Sequence, residues 1–233
     1  MISASLVRPV VALRGVSKSF SRDGDATPVL CGVNLELGSG DKASLVGPSG
    51  SGKSTLLSLM AGLLRPDSGS VEVNGTAIEN LGDNQRAGIR ARHIGIALQA
   101  DNLIPFLSAR ENVELALGFG ARNGSGHRAR SAEGERALNL LARFGVAHRA
   151  DHRPRHLSGG EAQRVALAVS AVNDPEVLLA DEIVAGLDGD TAGRVIDEVL
   201  DASFALLYVT HDVALADRAE RRFTVDDRSV HPR

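Results

Sequence analysis

Short apolar runs recur along the chain, most of them bounded by glycine, proline or charged residues. Val10–Leu13, Val29–Leu37, Ala43–Val46, Val71–Val73, Ile94–Leu98, Val177–Ala180 and Ala205–Val209 are rich in β-branched residues or leucine and predict strands. Between them apolar positions return every three or four residues. That period predicts helices over Lys53–Leu63, Ala109–Leu117, Glu133–Phe144, Glu161–Val172 and Thr191–Leu200. Strand and helix alternate in the second half and around residues 47–55, which implies an α/β fold with a largely parallel sheet. In the first part strand follows strand, which implies antiparallel pairing. Residues 100–160 are helix-rich and read as a separate subdomain. Within them residues 120–135, rich in Gly, Ser and Arg, read as a surface loop.

Composition narrows the class without choosing a function. The 233 residues suffice for one domain, or one domain with a subdomain, and 43% hydrophobic with 24% charged residues is ordinary for a soluble protein. A net charge of −3 gives no global field that favours nucleic acid or an anionic membrane. The longest uncharged apolar stretch, near Leu56–Leu64, falls well short of the ~20 residues of a membrane span. The N-terminus lacks the charged start and long apolar core of a signal peptide. The single cysteine, Cys31, leaves no intrachain disulfide, and a reducing compartment is expected. Lys18, Lys42 and Lys53 are the only lysines, so a lysine inside a glycine-rich loop is hard to ascribe to chance.

That loop is Gly47-Pro48-Ser49-Gly50-Ser51-Gly52-Lys53-Ser54-Thr55, which fits G-x-x-x-x-G-K-[ST] between a strand and a helix. Glycines let the backbone turn tightly and aim N–H groups at phosphate oxygens, and the helix adds its positive end. Lys53 would reach the β- and γ-phosphates, and the Ser54 hydroxyl would ligate Mg²⁺. A plain glycine turn before a capped helix does not explain the lysine at that spacing. The motif by itself fits a kinase, a GTPase, a helicase or a transporter ATPase.

Two further strand ends carry polar groups. Val177–Ala180 runs into Asp181 and Glu182, and ligands gather at the carboxyl ends of strands in open α/β sheets. Asp181 would hold Mg²⁺ through water, and Glu182 could polarise an attacking water. Phosphoryl transfer demands a positioned nucleophile and charge stabilisation more than covalent chemistry. Ala205–Val209 leads to His211, which could contact the γ-phosphate. The bland alternatives are a solvated turn after a buried strand and a structural histidine.

The stretch Leu157-Ser158-Gly159-Gly160-Glu161 opens a predicted helix. Ser158 and Glu161 form a capping box, but two glycines in a first turn cost ~1 kcal/mol each relative to alanine. Small residues there let a phosphate approach a helix N-terminus, a second phosphate-facing surface in one chain. With this stretch the sequence resembles the ATP-binding-cassette (ABC) ATPases over nearly its whole length. The order of motifs matches: phosphate loop, Gln99, LSGGE, VLLADE, Leu187-Asp188, then His211. The resemblance implies a P-loop NTPase core with an antiparallel β subdomain (about 1–98 and 161–233) and an inserted α-helical subdomain (about 99–160).

The resemblance also implies roles. Gln99 would be the lid glutamine that senses Mg²⁺ and water. Phe20 would stack on adenine, although a core phenylalanine is an alternative. Ser158, Gly159, Gly160 and Asp188 would complete an ATP site on a second copy, or on a related cassette, in a head-to-tail dimer. Glu182 would be the general base, Lys53 and His211 would stabilise the γ-phosphate, and Ser54, Gln99 and Asp181 would arrange Mg²⁺. ATP and Mg²⁺ are the implied ligands. A separate membrane-spanning permease-type subunit is the implied partner, and it would hold this chain peripherally at the cytoplasmic face of the plasma membrane. No nucleic-acid partner is expected. The pattern of residues 99–117 is similar to the subgroup of lipoprotein-release, macrolide-efflux and cell-division ATPases.

Four positions depart from the family pattern: Ile183-Val184 stand where Pro-Thr is usual, Val169 replaces an arginine, and Asp41 replaces a glutamate. None removes a group assigned to chemistry. A non-transporting complex that signals through a membrane partner is the alternative. A soluble mechanical ATPase on nucleic acid is disfavoured because the chain has no room for the insertions such members carry. A simple P-loop kinase would not need LSGGE. His148, His152 and His156 recur every four residues, but Pro154 breaks a shared helix and the neighbouring arginines repel a cation.

Overall fold

The structure is a computed structural model that describes residues 8–22, 25–98, 103–120, 127–184 and 187–233. Six strands form one sheet: β3 (Lys42–Val46), β6 (Ile94–Leu98), β7 (Val177–Asp181), β8 (Ala205–Val209), β9 (Arg221–Asp226) and β10 (Ser229–Pro232), in the order β10-β9-β3-β8-β7-β6. All neighbours are parallel except β9 and β10. A second, antiparallel sheet has the order β2-β1-β4-β5, built from β1 (Val11–Arg22), β2 (Asp25–Leu37), β4 (Ser68–Val73) and β5 (Thr76–Ala77). The expected split between a parallel and an antiparallel part is therefore present, and β3 is the exception among the early strands.

The strands of the parallel sheet read as continuous apolar runs because both faces are covered. Val177 and Leu179 of β7 point into one core, with Ala205, Leu207 and Val209 of β8. Leu178, Ala180, Leu206 and Tyr208 point into the other. The first core holds Leu56, Leu57, Leu59 and Met60 of α1 (Lys53–Met60) together with the inner face of the antiparallel sheet. The second is filled by α3 (Ala109–Gly120), α4 (His127–Arg143), α5 (Gly159–Ala171) and α6 (Gly189–Leu200). A side chain such as Leu178, fully buried there, contributes about 1.5–3 kcal/mol relative to its exposed state.

Several elements differ from expectation for identifiable reasons. β1 runs on through Ser17, Lys18, Ser19 and Phe20, which lack an apolar pattern, because β4 pairs with it as far as Ser17 and β2 through Phe20 and beyond. α2 (Asp83–His93) has no buried residue and hence no apolar stripe to announce it. Its start is held by Gln85, whose Oε1 accepts from the Gly82 N–H at 3.1 Å. α4 begins at His127, inside the stretch read as loop, where Arg, Ala and Glu are good helix formers. β9, β10 and α7 (Val213–Ala216) are short and carry weak patterns. Residues 147–149 and 154–156 form separate 3₁₀ turns, so the three histidines share no helix. Among the described residues no helix is long and apolar enough to cross a membrane.

Candidate active site

Strand register brings the site together. Leu45 of β3 lies opposite Val209 of β8, and Val209 lies opposite Asp181 of β7. The carboxyl ends of three adjacent parallel strands are therefore level. The phosphate loop after β3, Glu182 after β7 and Thr210-His211 after β8 meet at one edge. β3 is also where the chain leaves for the far side of the sheet, at β6, which is the kind of crossover that opens a crevice at strand ends.

The crevice is a cavity of about 380 Å³. Ser49, Gly50, Gly52, Lys53, Ser54 and Thr55 line it, with Glu182 and His211 opposite and Phe20 with Val29 at one side. Phe20 is 42% exposed, so it is not a core residue. Its ring lies 5.7 Å from the Lys18 ammonium, which is itself paired with Asp67 at 2.7 Å. Asp181, Ser158, Gly159, Gly160 and Asp188 do not line this cavity. Gln99 lies outside the described residues. A larger cavity of about 540 Å³ between α2, β6 and α5 is lined by no residue of the phosphate loop and shares no lining residue with the crevice.

The loop has the chemistry of an anion cradle. Gly52 takes φ 104 as the residue before α1, a conformation a side chain would strain, and its position abuts Val29 and Leu30. No side chain caps α1, so its first N–H groups face the cavity's end of the helix without a protein acceptor from a cap. The Ser51 hydroxyl is buried without a partner. Lys53 Nζ donates to the carbonyls of Gly47 at 2.9 Å and Pro48 at 2.8 Å, which leaves one proton for a ligand. Burial pushes the Lys53 ammonium below the ordinary lysine value, and the charges of Glu182 and Asp181 pull it back up.

Across the cavity Glu182 Oε1 and His211 Nε2 are 2.7 Å apart. Glu182 is in the left-handed region, at φ 50, and its N–H donates to the Val209 carbonyl at 3.2 Å. A carboxylate so placed can accept a proton from water, and a neighbouring imidazole can orient it or donate to a phosphoryl oxygen. Ser54 and Asp181 offer hard oxygen ligands of the kind Mg²⁺ takes together with phosphate and water.

The second phosphate-facing surface is preformed elsewhere. Ser158 caps α5: its Oγ accepts from the Glu161 N–H at 3.3 Å, and Glu161 Oε2 accepts from the Ser158 N–H at 2.8 Å. The Ser158 N–H, and then Arg149 at 2.7 Å, hold the Glu161 carboxyl down at about 2. A side chain at Gly160 would press on Leu187 and Thr191, so packing explains that glycine. At Gly159 a side chain would meet open space, so packing does not. Asp188 caps α6 through the Thr191 N–H at 3.0 Å, which lowers its carboxyl below the ordinary range.

One residue in direct contact with this machinery lies within the stretch Leu157–Ala168 but carries none of the roles read from it. Gln163 of α5 is 5% exposed and donates from Nε2 to the Glu182 carbonyl at 3.1 Å. Its signal is a polar side chain on the helix stripe that also carries Ala166, Leu167 and Ala171.

Residues 30–185 match the family model described as ABC transporter. The chain belongs to the ABC transporter family. As a member it is an ATP-binding, ATP-hydrolysing cassette. It is 42% identical to a lipoprotein-releasing system ATP-binding protein, LolD 1, of Rhodopirellula baltica, over 92% of this chain and 93% of that protein. It is 37% identical to a macrolide export ATP-binding/permease protein, MacB, of Rhodopseudomonas palustris, over 97% of this chain but 34% of that protein. Among solved structures the cassette is similar to a dimeric ATP-binding cassette in a post-hydrolysis state bound to ADP and Pi. That similarity has a TM-score of 0.88 at 34% identity and covers 96% of this chain and 97% of the other.

Proposed function

We propose that this cassette is the motor subunit of a membrane complex of the lipoprotein-release type and that two copies close head to tail over ATP. The observation that carries the reading is the division of its phosphate-facing groups. The loop, Glu182 and His211 share one cavity, whereas the Ser158–Gly160 helix start lies outside it and offers open space at Gly159. A group built to meet phosphate but absent from its own chain's cavity fits the site of a second copy. Dimerisation in the ADP-bound relative and the names of the relatives support the same arrangement.

In this reading the loop amides and Lys53 bind the β- and γ-phosphates, and Phe20 receives the adenine ring. Ser54 and Asp181 hold Mg²⁺ with Gln99; the ion, when bound, neutralises phosphate charge. Glu182 takes the proton of the attacking water, and His211 keeps Glu182 oriented and stabilises the γ-phosphate. Ser158, Gly159, Gly160 and Asp188 of one copy complete the other's site. Residues 1–98 and 161–233 form the nucleotide-binding core, and the helical part, 99–160, moves the α5 helix start towards the partner. A separate integral membrane subunit holds the cassette at the cytoplasmic face of the plasma membrane and converts closure into work.

Sizing of Glu182→Gln with and without ATP tests the dimer. ATP should convert monomer to dimer, and Ser158→Arg should abolish the conversion while ATP binding persists. A monomer that remains monomeric with ATP bound, in the presence of its membrane subunit, overturns the head-to-tail reading.

A further inference from the structure

Glu182 adopts a backbone conformation that a residue with a side chain takes at a cost, of order 1–3 kcal/mol, unless its surroundings impose it. Three contacts do so. Its N–H donates to Val209 of β8, its carboxylate meets His211 at 2.7 Å, and its carbonyl accepts from Gln163 at 3.1 Å. The first two come from β8 and the residues after it, beside β7 in the same sheet. The third alone comes from α5. Ile183 is next in the chain, so no proline ring restricts the Glu182 backbone, and the conformation rests on these contacts.

Gln163 has no other assigned task. It is buried, it does not line the nucleotide cavity, and among the described residues its amide donates to one carbonyl. It stands five residues past Ser158 on a continuous helix, about 7.5 Å along the axis. A helix that shifts at its Ser158 end carries Gln163 with it.

We infer that Gln163 is a positioning residue for hydrolysis: it holds Glu182 in its working pose and ties that pose to the seating of the α5 helix start. The inference rests on the reading of Glu182 as the base. When α5 is seated, the amide bond fixes the Glu182 peptide and the carboxylate faces the cavity. When α5 moves, the carbonyl loses its donor and the carboxylate loses its aim. Hydrolysis is thereby linked to the helix that completes the partner's site.

Gln163→Met keeps length and helix propensity and removes the donor. In the full-length chain kcat for ATP should fall about ten- to a hundredfold, the size of effect that misplacement of a catalytic group by an ångström produces, with KM for ATP unchanged. In a Glu182→Gln background, single-turnover hydrolysis should show no further loss from Gln163→Met, because the two act as a unit. Equal loss in both backgrounds, or a loss carried by KM, overturns the inference and marks Gln163 as packing. If Gln163→Met does not fold, Gln163→Leu, which also presents no donor, should give the same kcat loss, and normal kcat overturns the inference. Glu182→Gln alone separates the two levels. Full turnover by that variant sinks the assignment of the base, whereas its inactivity beside an unaffected Gln163→Met sinks only the positioning role.

Discussion

All three lysines are fixed by specific contacts. Lys18 pairs with Asp67, Lys42 donates to the Ala202 carbonyl at 2.7 Å and the Phe204 carbonyl at 2.5 Å, and Lys53 spans the phosphate loop. In a chain whose other cations are arginines, a compact ammonium stands where a point charge must fit among carbonyls. Lys53→Ala should weaken ATP binding about tenfold or more, the scale of a charge-assisted hydrogen bond, in a fluorescent-nucleotide titration. Glu182→Gln should leave that affinity intact and cut turnover by about a hundredfold or more, as loss of a general base does, measured as phosphate release. Tyr208 shows the structural counterpart. Its hydroxyl donates to the Leu215 carbonyl at 2.5 Å, and burial pushes the phenol up to about 12. Tyr208→Phe should cost about 0.5–1.5 kcal/mol in denaturant unfolding, the net worth of one hydrogen bond, since the Leu215 carbonyl keeps the Arg218 N–H at 3.3 Å.

At the scale of elements, α5 is the one whose start does two tasks. Its capping box closes the first turn, and Arg149 adds a charge to Glu161 from the 3₁₀ turn before it. Folding lowers the Glu161 carboxyl from 4.5 to about 2. A depressed carboxyl contributes stability that is present above about pH 4.5 and lost as pH falls towards 2. Glu161→Gln removes the charge and one of the two acceptor oxygens, so the side chain can still accept from the Ser158 N–H but no longer from Arg149 as well. Wild type should therefore be the more stable protein at neutral pH, and its advantage should shrink steadily below about pH 4.5 in thermal melts taken across that range. α6 begins in the same way on Asp188, so both helix starts assigned to a second copy's site are closed by their own side chains before any partner arrives.

At the scale of the whole molecule, the two cores on either face of the parallel sheet separate the loop-bearing side from the helical side. The helices α3, α4 and α5 pack against the face that also receives α6. Composite sites make a test that no single chain can satisfy. Lys53→Ala and Ser158→Arg should each be inactive alone, one for want of a phosphate loop and the other for want of a partner surface. In an equimolar mixture, half the dimers are mixed and each mixed dimer has one intact site. About a quarter of wild-type hydrolysis should then return. A mixture as inactive as its parts argues for sites contained within one chain.

The family, the phosphate loop, the two polar strand ends and the capping box of α5 were all legible in the order of residues. Each of these is a local pattern of residue types, and local chemistry writes it directly into the chain. The parallel part was also separable from the antiparallel part, because strands buried on both faces lose alternation. α2, β9 and β10 went unannounced, since none carries a strong apolar period, and the first half of α4 was hidden in a polar stretch. It took the folded arrangement to establish that Phe20 is exposed, that Glu182 and His211 meet, and that Gln163 reaches the Glu182 carbonyl. Those contacts span separations in the chain from 19 residues upward and depend on strand register and helix seating. The same is true of the open space at Gly159 and the packed space at Gly160. Adjacent and identical in sequence, they are told apart by Leu187 and Thr191, which only folding brings alongside.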